Sequence, residues 1–457
     1  MRFNLWLCLL LLLGAGRVWA KEFPADLSLS LADLTQSAME NSSQLQAARL
    51  GYESSQSEAK SAGNAEFPRL GLSGNYFYQT YVPTFSILPN SPAVAFGEAN
   101  NWQAWATLNW DLWDFRAQHA MADSATAASQ SQDQLYEATK RQVTLAVRLA
   151  YFQVKVNAEQ VRILGDSLKI AQAQYTDIGH QAKFGTASRM DLLSSHQEVL
   201  NYQMQFRQAQ ANLAQSLRDL YALVGIDEPA DFKLPLDKHM QNALPDIVSL
   251  PSVWLTMDST ADSLAMLQQE AVVPPDESVP QLKTYAYLAD SARFAGDSIH
   301  SGLFPKISLS AQAGYENPDG PILQTVQQNM VSVSASMPLF DWGQVVNDSD
   351  SKQKQAQAYE KNWSQAKADL WRDWNKAQDS LASLKYQEKL NDTAVTETEQ
   401  LARLTYKSYR AGTVRFLEVQ TANLQALNAK IQSVSNNVQI LMQLSVLSSL
   451  SGEAIKR

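Results

Sequence analysis

The chain repeats itself at a fixed spacing: Asp114 and Asp341, Gly185 and Gly412, and Gly225 and Gly452 are each 227 residues apart. A unit of this length written twice is read as one structural arrangement duplicated. Each copy also opens a strand with Phe-Pro, Phe67-Pro68-Arg69-Leu70-Gly71-Leu72-Ser73 in the first and Phe304-Pro305-Lys306-Ile307-Ser308-Leu309-Ser310 in the second, but at an offset of 237. The first copy therefore carries ten more residues before Asp114, and from there to Gly225 the copies align without a gap. The helical body accepts no insertion and one surface loop does.

The N-terminus gives an expectation about compartment. Met1-Arg2, the apolar run Leu5 to Leu13 and the small residue ending Val18-Trp19-Ala20 read as a secretory signal peptide cleaved after Ala20. Cys8, the only cysteine, lies inside that run, so neither a lipid-attachment cysteine nor a disulfide is expected in the mature protein. Loss of Arg2 and Arg17 takes the formal charge from −9 to −11, and a chain this acidic is a poor nucleic-acid binder.

After Ala20 no stretch approaches 18 apolar residues, which excludes a membrane-spanning helix. Four short segments instead alternate with period two. Their apolar faces hold Leu70, Leu72, Tyr76 and Tyr78; Trp102, Ala104, Ala106, Leu108, Trp110 and Leu112; Ile307, Leu309, Ala311, Ala313 and Tyr315; and Val331, Val333, Ala335, Met337 and Leu339. The opposite faces hold Arg69, Ser73, Asn75, Gln103, Thr107, Asn109, Lys306, Ser308, Ser310, Gln312, Ser332, Ser334 and Ser336. Aromatic ends, a secretory start and lengths of about ten residues favour membrane-spanning strands over a soluble sheet with one wet face. Four such strands cannot close a barrel, and an open edge in hydrocarbon leaves backbone groups without partners. Closure by other copies would give eight, twelve or sixteen strands for two, three or four subunits.

The remainder is helical. Arg116 to Glu228 and Leu339 to Arg457 contain no proline, and Val143, Val147, Ala150, Val154, Asn157, Val161, Leu164 and Leu168 recur at spacings of four and three. The second copy supplies Leu370, Trp374, Ala377, Leu381, Leu384, Glu388, Asn391 and Val395 in the same phase, which is coiled-coil spacing. A helix over the roughly 70 residues from Asp114 to Gly185 would reach on the order of 100 Å. Gly185 and Gly412 then mark the turns of long hairpins whose return helices end near Gly225 and Gly452. A further helix precedes each strand pair, Leu31 to Ala65 and about Val279 to Ser301.

The expected organisation is a signal peptide over 1–20 and a first repeat over 21–225, with strands at about 68–79 and 101–113. A proline-rich irregular connector over 226–278 leads to a second repeat over 279–457, with strands at about 305–316 and 330–340. Each repeat runs helix, strand, strand, long helix, return helix. The strand loops, with Pro83, Pro89 and Pro92 in the first and Asn317-Pro318-Asp319-Gly320 in the second, would face outside the cell.

In this order the residues resemble the TolC-like outer membrane efflux proteins. The resemblance rests on Leu27-Ser28-Leu29-Ser30-Leu31-Ala32-Asp33-Leu34 leading to Glu40-Asn41 and on the two Phe-Pro strand openings. Leu339-Phe340-Asp341-Trp342-Gly343 after the last strand, and Gly412-Thr413 with Leu417-Glu418-Val419, complete it. It implies a mainly α protein with a membrane β-barrel: a homotrimer whose twelve strands form one barrel in the outer membrane, continuing into a periplasmic α-helical barrel. It implies an exit duct of a tripartite efflux or type I secretion system, docked through a periplasmic adaptor to an inner-membrane transporter, with outer membrane lipid around it.

Similar proteins are held shut at the helical turns, and this implies where the gate lies. Six residues after the tip glycines stand Asp191 and Glu418, acidic in the family, and Tyr409, three before Gly412, matches a tyrosine of the closed network. Gly185, Thr186, Gly412 and Thr413 correspond to the turns that meet the adaptor. The chain departs from the family in two places: the arginine two residues after the second glycine is replaced by Val414, with Arg415 beside it, and the second acid of the aperture ring falls on Thr421.

Enzyme chemistry finds little support. His119, His180, His196, His239 and His300 form no helical zinc pair, and the chain has no phosphate loop or nucleophile elbow, so no catalytic residue, cofactor or metal is expected. A periplasmic coiled-coil scaffold or adaptor without a pore is the alternative, but such a protein has no need of two amphipathic strand pairs with aromatic ends.

Overall fold

The structure, a computed structural model, describes residues 28–86, 94–95, 97–226, 256–270, 273–319 and 322–451. The expected signal peptide, Gly452, Pro89 and Pro92 of the first strand loop, and the proline-rich part of the connector lie outside them. In chain order come β1 (Ser28–Leu29), α1 (Leu31–Asn41), α2 (Ser43–Asn64), β2 (Arg69–Tyr78), β3 (Thr84–Phe85), β4 (Val94–Ala95), β5 (Asn100–Trp113), α3 (Ala117–Lys183) and α4 (Arg189–Val224). They are followed by β6 (Thr256–Met257), α5 (Thr260–Glu270), α6 (Pro280–His300), β7 (Lys306–Asn317), β8 (Val326–Ser336), α7 (Gln344–Arg410) and α8 (Phe416–Leu450). The chain divides into two compact units, each taking residues from both copies, with boundaries at Gln46/Ala47, Ala138/Thr139, Asp276/Glu277 and Asp369/Leu370.

One unit carries the four long strands. They form an antiparallel sheet in the order β2-β5-β7-β8, so β2 and β8 each present an unpaired edge. Because side chains alternate, the register sorts the faces: Asn75 faces Gln103, Gln103 faces Glu316, Asn109 faces Ser310, and Ser310 faces Ser332. This polar face is bonded across strands, with Gln103 Nε2 donating to Glu316 Oε1 at 2.8 Å and Ser310 Oγ to Asn109 Oδ1 at 2.9 Å. Asp111 Oδ1 accepts from Ser308 Oγ at 2.9 Å and its Oδ2 pairs with Lys306 Nζ at 2.9 Å. The other face is apolar and open, with Leu72 86% and Val331 73% exposed. An ordinary soluble sheet would bury that face.

Two strand boundaries differ from the sequence expectation. β8 starts at Val326 and stops at Ser336, where Met337 and Leu339 were expected to continue it. Pro338 has no N–H to give a ladder, so the chain leaves the sheet there. In β5 the register shifts between Asp111 and Trp113, a bulge that sets Trp113, and not Leu112, opposite Ile307.

The repeated Asp114 and Asp341 turn out to start the long helices. Gln118 N donates to Asp114 Oδ2 and Val345 N to Asp341 Oδ2, both at 2.9 Å. The backbone of Val345, then that of Gly343, holds the Asp341 carboxyl below its ordinary range.

The other unit is helical. Leu31 and Leu34 of α1, Val147, Tyr151 and Val154 of α3, Leu220 and Val224 of α4, and Leu441 and Leu444 of α8 make one core. The expected first-copy seam is buried or half-buried throughout, from Val143 to Leu168. The second-copy seam is buried only at Leu370, Trp374 and Ala377 and is half-buried from Leu381 onward. The helix expected from Leu31 to Ala65 is two helices, because Ser42 takes extended backbone with φ −61° and ψ 116°. Gly225, at φ +75°, approaches the neighbouring Asn41 so closely that a Cβ would stand 3.0 Å from its carbonyl oxygen.

The described part of the connector contains regular elements. β6 pairs in parallel with β1, and α5 sends Leu267 fully into the helical core. Asp258 fastens this segment by accepting from Leu31 N at 2.8 Å, while its own N–H donates to the Tyr151 hydroxyl at 2.9 Å. Among the described residues no helix is long and apolar enough to cross a membrane.

Candidate functional site

The two hairpin turns are built alike. Gly185 and Gly412 both stand at φ +77° with open space where a Cβ would be, so glycine serves backbone geometry and not close packing. Thr186 N and Oγ1 both donate to Gln181 O, at 2.9 and 3.0 Å, and Thr413 N and Oγ1 to Ser408 O, at 3.0 and 2.9 Å. These bonds satisfy the last carbonyls of α3 and α7. Around the turns Phe184, Met190, Leu193 and Leu417 are exposed, Phe184 by 83%.

The return helices start differently. Ser188 and Asp191 form a reciprocal capping box at α4, Asp191 N donating to Ser188 Oγ at 3.0 Å. The equivalent of Ser188 in the second copy is Arg415, whose side chain caps nothing, and Glu418 stands exposed in the first turn of α8. Neither Arg415 nor Glu418 makes a side-chain hydrogen bond or ion pair with a described residue.

Above the turns the two hairpins are tied by polar bonds over a small core of Ile178, Phe416 and Val419. The Tyr406 hydroxyl donates to Asp177 Oδ2 at 2.7 Å, and Arg410 Nε lies 3.6 Å from the same oxygen. Tyr409 packs edge-on against Phe416 at 5.4 Å, with the Asp191 carboxylate close enough to act on its hydroxyl. Burial, and then the bond to Asp177, raises the Tyr406 hydroxyl well above the ordinary tyrosine range; burial and the Asp191 carboxylate push Tyr409 up to about 12. Both hydroxyls are therefore neutral at any physiological pH.

Farther along, Asn423 Nδ2 donates to Gln174 Oε1 and Glu198 Oε1, both at 3.1 Å, and Gln420 Nε2 to Ser194 O at 3.1 Å. Glu198 is buried, and desolvation raises its pKa against the lowering bonds from Asn423 and Gln420. Chemically these groups form a clasp of hydrogen bonds and one ion pair, joining α3 and α4 of the first copy to α7 and α8 of the second. Among the described residues no cluster of His, Cys, Asp and Glu is disposed to hold a metal ion.

Of the four gate residues named from the sequence, the structure brings Tyr409 and Asp191 together and leaves Glu418 and Arg415 apart from them. The arginine in the clasp is Arg410. Sequence reasoning missed Asp177, Tyr406, Arg410, Glu198 and Asn423, and the duplication explains why. Their counterparts 227 residues away are Leu404, Gly179, Lys183, Gln425 and His196. The clasp is made where the copies diverge, so a search for shared residues passes over it, and divergence itself was the signal.

Residues 34–226 and 277–453 match the family model described as outer membrane efflux protein. Two curated proteins of Pseudomonas putida, the probable efflux pump outer membrane protein TtgC and the antibiotic efflux pump outer membrane protein ArpC, are each 22% identical over 417 residues, covering 88% of this chain and 79% of theirs. In fold the chain is similar to the outer membrane protein VceC of Vibrio cholerae, with a TM-score of 0.73 at 16% identity over 93% of this chain and 97% of that one.

Proposed function

The chain belongs to the outer membrane efflux protein family, a family of transport proteins and not of enzymes, and from that premise we propose that it is a passive exit duct. In this reading three copies set their four-stranded sheets edge to edge in the outer membrane. The apolar face meets lipid and the serine-, glutamine- and asparagine-rich face lines the lumen. The helical hairpins extend into the periplasm, and their turns, with Gly185, Thr186, Gly412, Thr413 and exposed Phe184, receive an adaptor that links the duct to an inner-membrane transporter.

The clasp of Asp177, Tyr406, Arg410, Tyr409 and Asp191 holds the hairpins in the resting, closed arrangement. Asp191 spends its charge on the capping box beside Tyr409, whereas Glu418, with no such partner among the described residues, supplies the acidic ring at the aperture. Relatives carry efflux names, one of them for antibiotics, so small-molecule export is favoured over polypeptide secretion.

The observation that carries the reading is the sheet: one face bonded and polar, the other apolar and open, and two free edges. A pore-free scaffold gains nothing from such a sheet. Planar bilayer recording tests the reading. The protein should give a small conductance that rises several-fold in Asp177→Ala and Tyr409→Phe, and Glu418→Ala should reduce its preference for cations. Wild-type conductance unaltered by any of the three would contradict the gate, and no conductance from any variant would contradict the duct.

A further inference from the structure

The polar face of the sheet carries one large aromatic in mid-strand. Trp105 sits between Gln103 and Thr107 on β5, opposite Ser73 on β2 and Gly314 on β7. Its six-membered ring lies on Gly314: a Cβ there would fall 2.6 Å from Cε3 and 2.9 Å from Cδ2. The residues directly opposite Trp105 on the adjoining strands are glycine on one side and serine on the other, both small. The ring rests on the Gly314 backbone, and Trp105 is half-buried, so part of the indole stays open.

Glu316 is next to Gly314 on the same face, diagonal to Trp105 at a separation of about 7 Å, within reach of large side chains. Its carboxylate accepts from the neutral Gln103, whereas Asp111 is neutralised by Lys306. Glu316 makes no ion pair with a described residue.

An indole on a wetted face exposes apolar surface that a serine or glutamine would not. Shielding Gly314 accounts for a large side chain there but not for an adjacent unneutralised acid. A π-face beside a carboxylate is the chemistry that recognises a flat cation, by stacking and by charge. Twelve tilted strands enclose about 25 Å from backbone to backbone, so three indoles cannot plug the lumen and act as contact sites on its wall.

We propose that Trp105 with Glu316 forms a lumenal contact site for planar aromatic cations, one per subunit, which biases what the duct passes. The proposal rests on the duct reading, since it takes this face to be the lumen.

The test is block of single-channel current by ethidium, a planar aromatic cation, against tetraethylammonium, a non-aromatic one of equal charge. Wild type should be blocked by ethidium at a concentration lower by on the order of tenfold. Trp105→Phe and Trp105→Leu both keep a side chain over Gly314, and only the first keeps a π-face. The preference should survive in Trp105→Phe and fall by roughly fivefold or more in Trp105→Leu, while Glu316→Gln should weaken block by both cations. Equal preference in wild type, Trp105→Phe and Trp105→Leu would overturn the site while leaving the duct standing. Absence of current from wild type and from the gate variant Asp177→Ala alike would remove the duct and the site with it.

Discussion

Glu198 shows how one residue can work against the packing that surrounds it. Its carboxyl is desolvated between α4 and α8, so its folded pKa lies above the unfolded value, and the proton is held more tightly in the folded protein. The stability it contributes is complete below the unfolded pKa and is lost as pH rises through the raised folded value. Thermal midpoints of detergent-solubilised protein should therefore fall as pH goes from acid toward neutral. Glu198→Gln, which still accepts from Asn423, should flatten that fall and match or exceed wild type at neutral pH; an unchanged pH profile would contradict this account. Gly225 is a second case. At φ +75° and against Asn41, Gly225→Ala should cost about 1–2 kcal/mol in backbone strain before any clash is relieved, seen as a lower melting temperature. Neither residue's burden could be read from the sequence, because each depends on what lies across from it. Tyr409 and Asp191 were legible only through the family resemblance, and Trp105 was hidden because a single large residue barely disturbs an alternating pattern.

At the scale of elements, the long helices and their turns were legible because they obey local rules. Absence of proline, seam spacing and tip glycines placed α3, α4, α7 and α8 closely, and the seam from Val143 to Leu168 packs as spaced. Ends decided by backbone chemistry were less legible. Ser42 splits a helix, Pro338 ends β8, and α5 stands inside a connector whose prolines advertised irregularity. The aspartates that begin α3 and α7 bridge both cases, since their repetition was visible and their capping role was not. Asp114→Ala removes the bond from Gln118 N and should lower stability by about 1 kcal/mol. Asp114→Asn, which keeps an acceptor, should lose less; equal losses, measured by thermal denaturation, would show that charge and not capping matters there.

For the whole molecule the account turns on incompleteness. The sheet has two free edges and an uncovered apolar face, and the second-copy seam is only half-buried beyond Ala377. On the duct reading an edge in hydrocarbon would cost several kcal/mol for each unpaired backbone group, so a lone subunit would not be a stable membrane species. The sequence limited closure to multiples of four strands, and the family resemblance selected three copies. The most direct measurement is the native mass of detergent-extracted protein, corrected for bound detergent. The account predicts three chains per particle at every dilution that keeps the protein folded, and a folded monomer would contradict it.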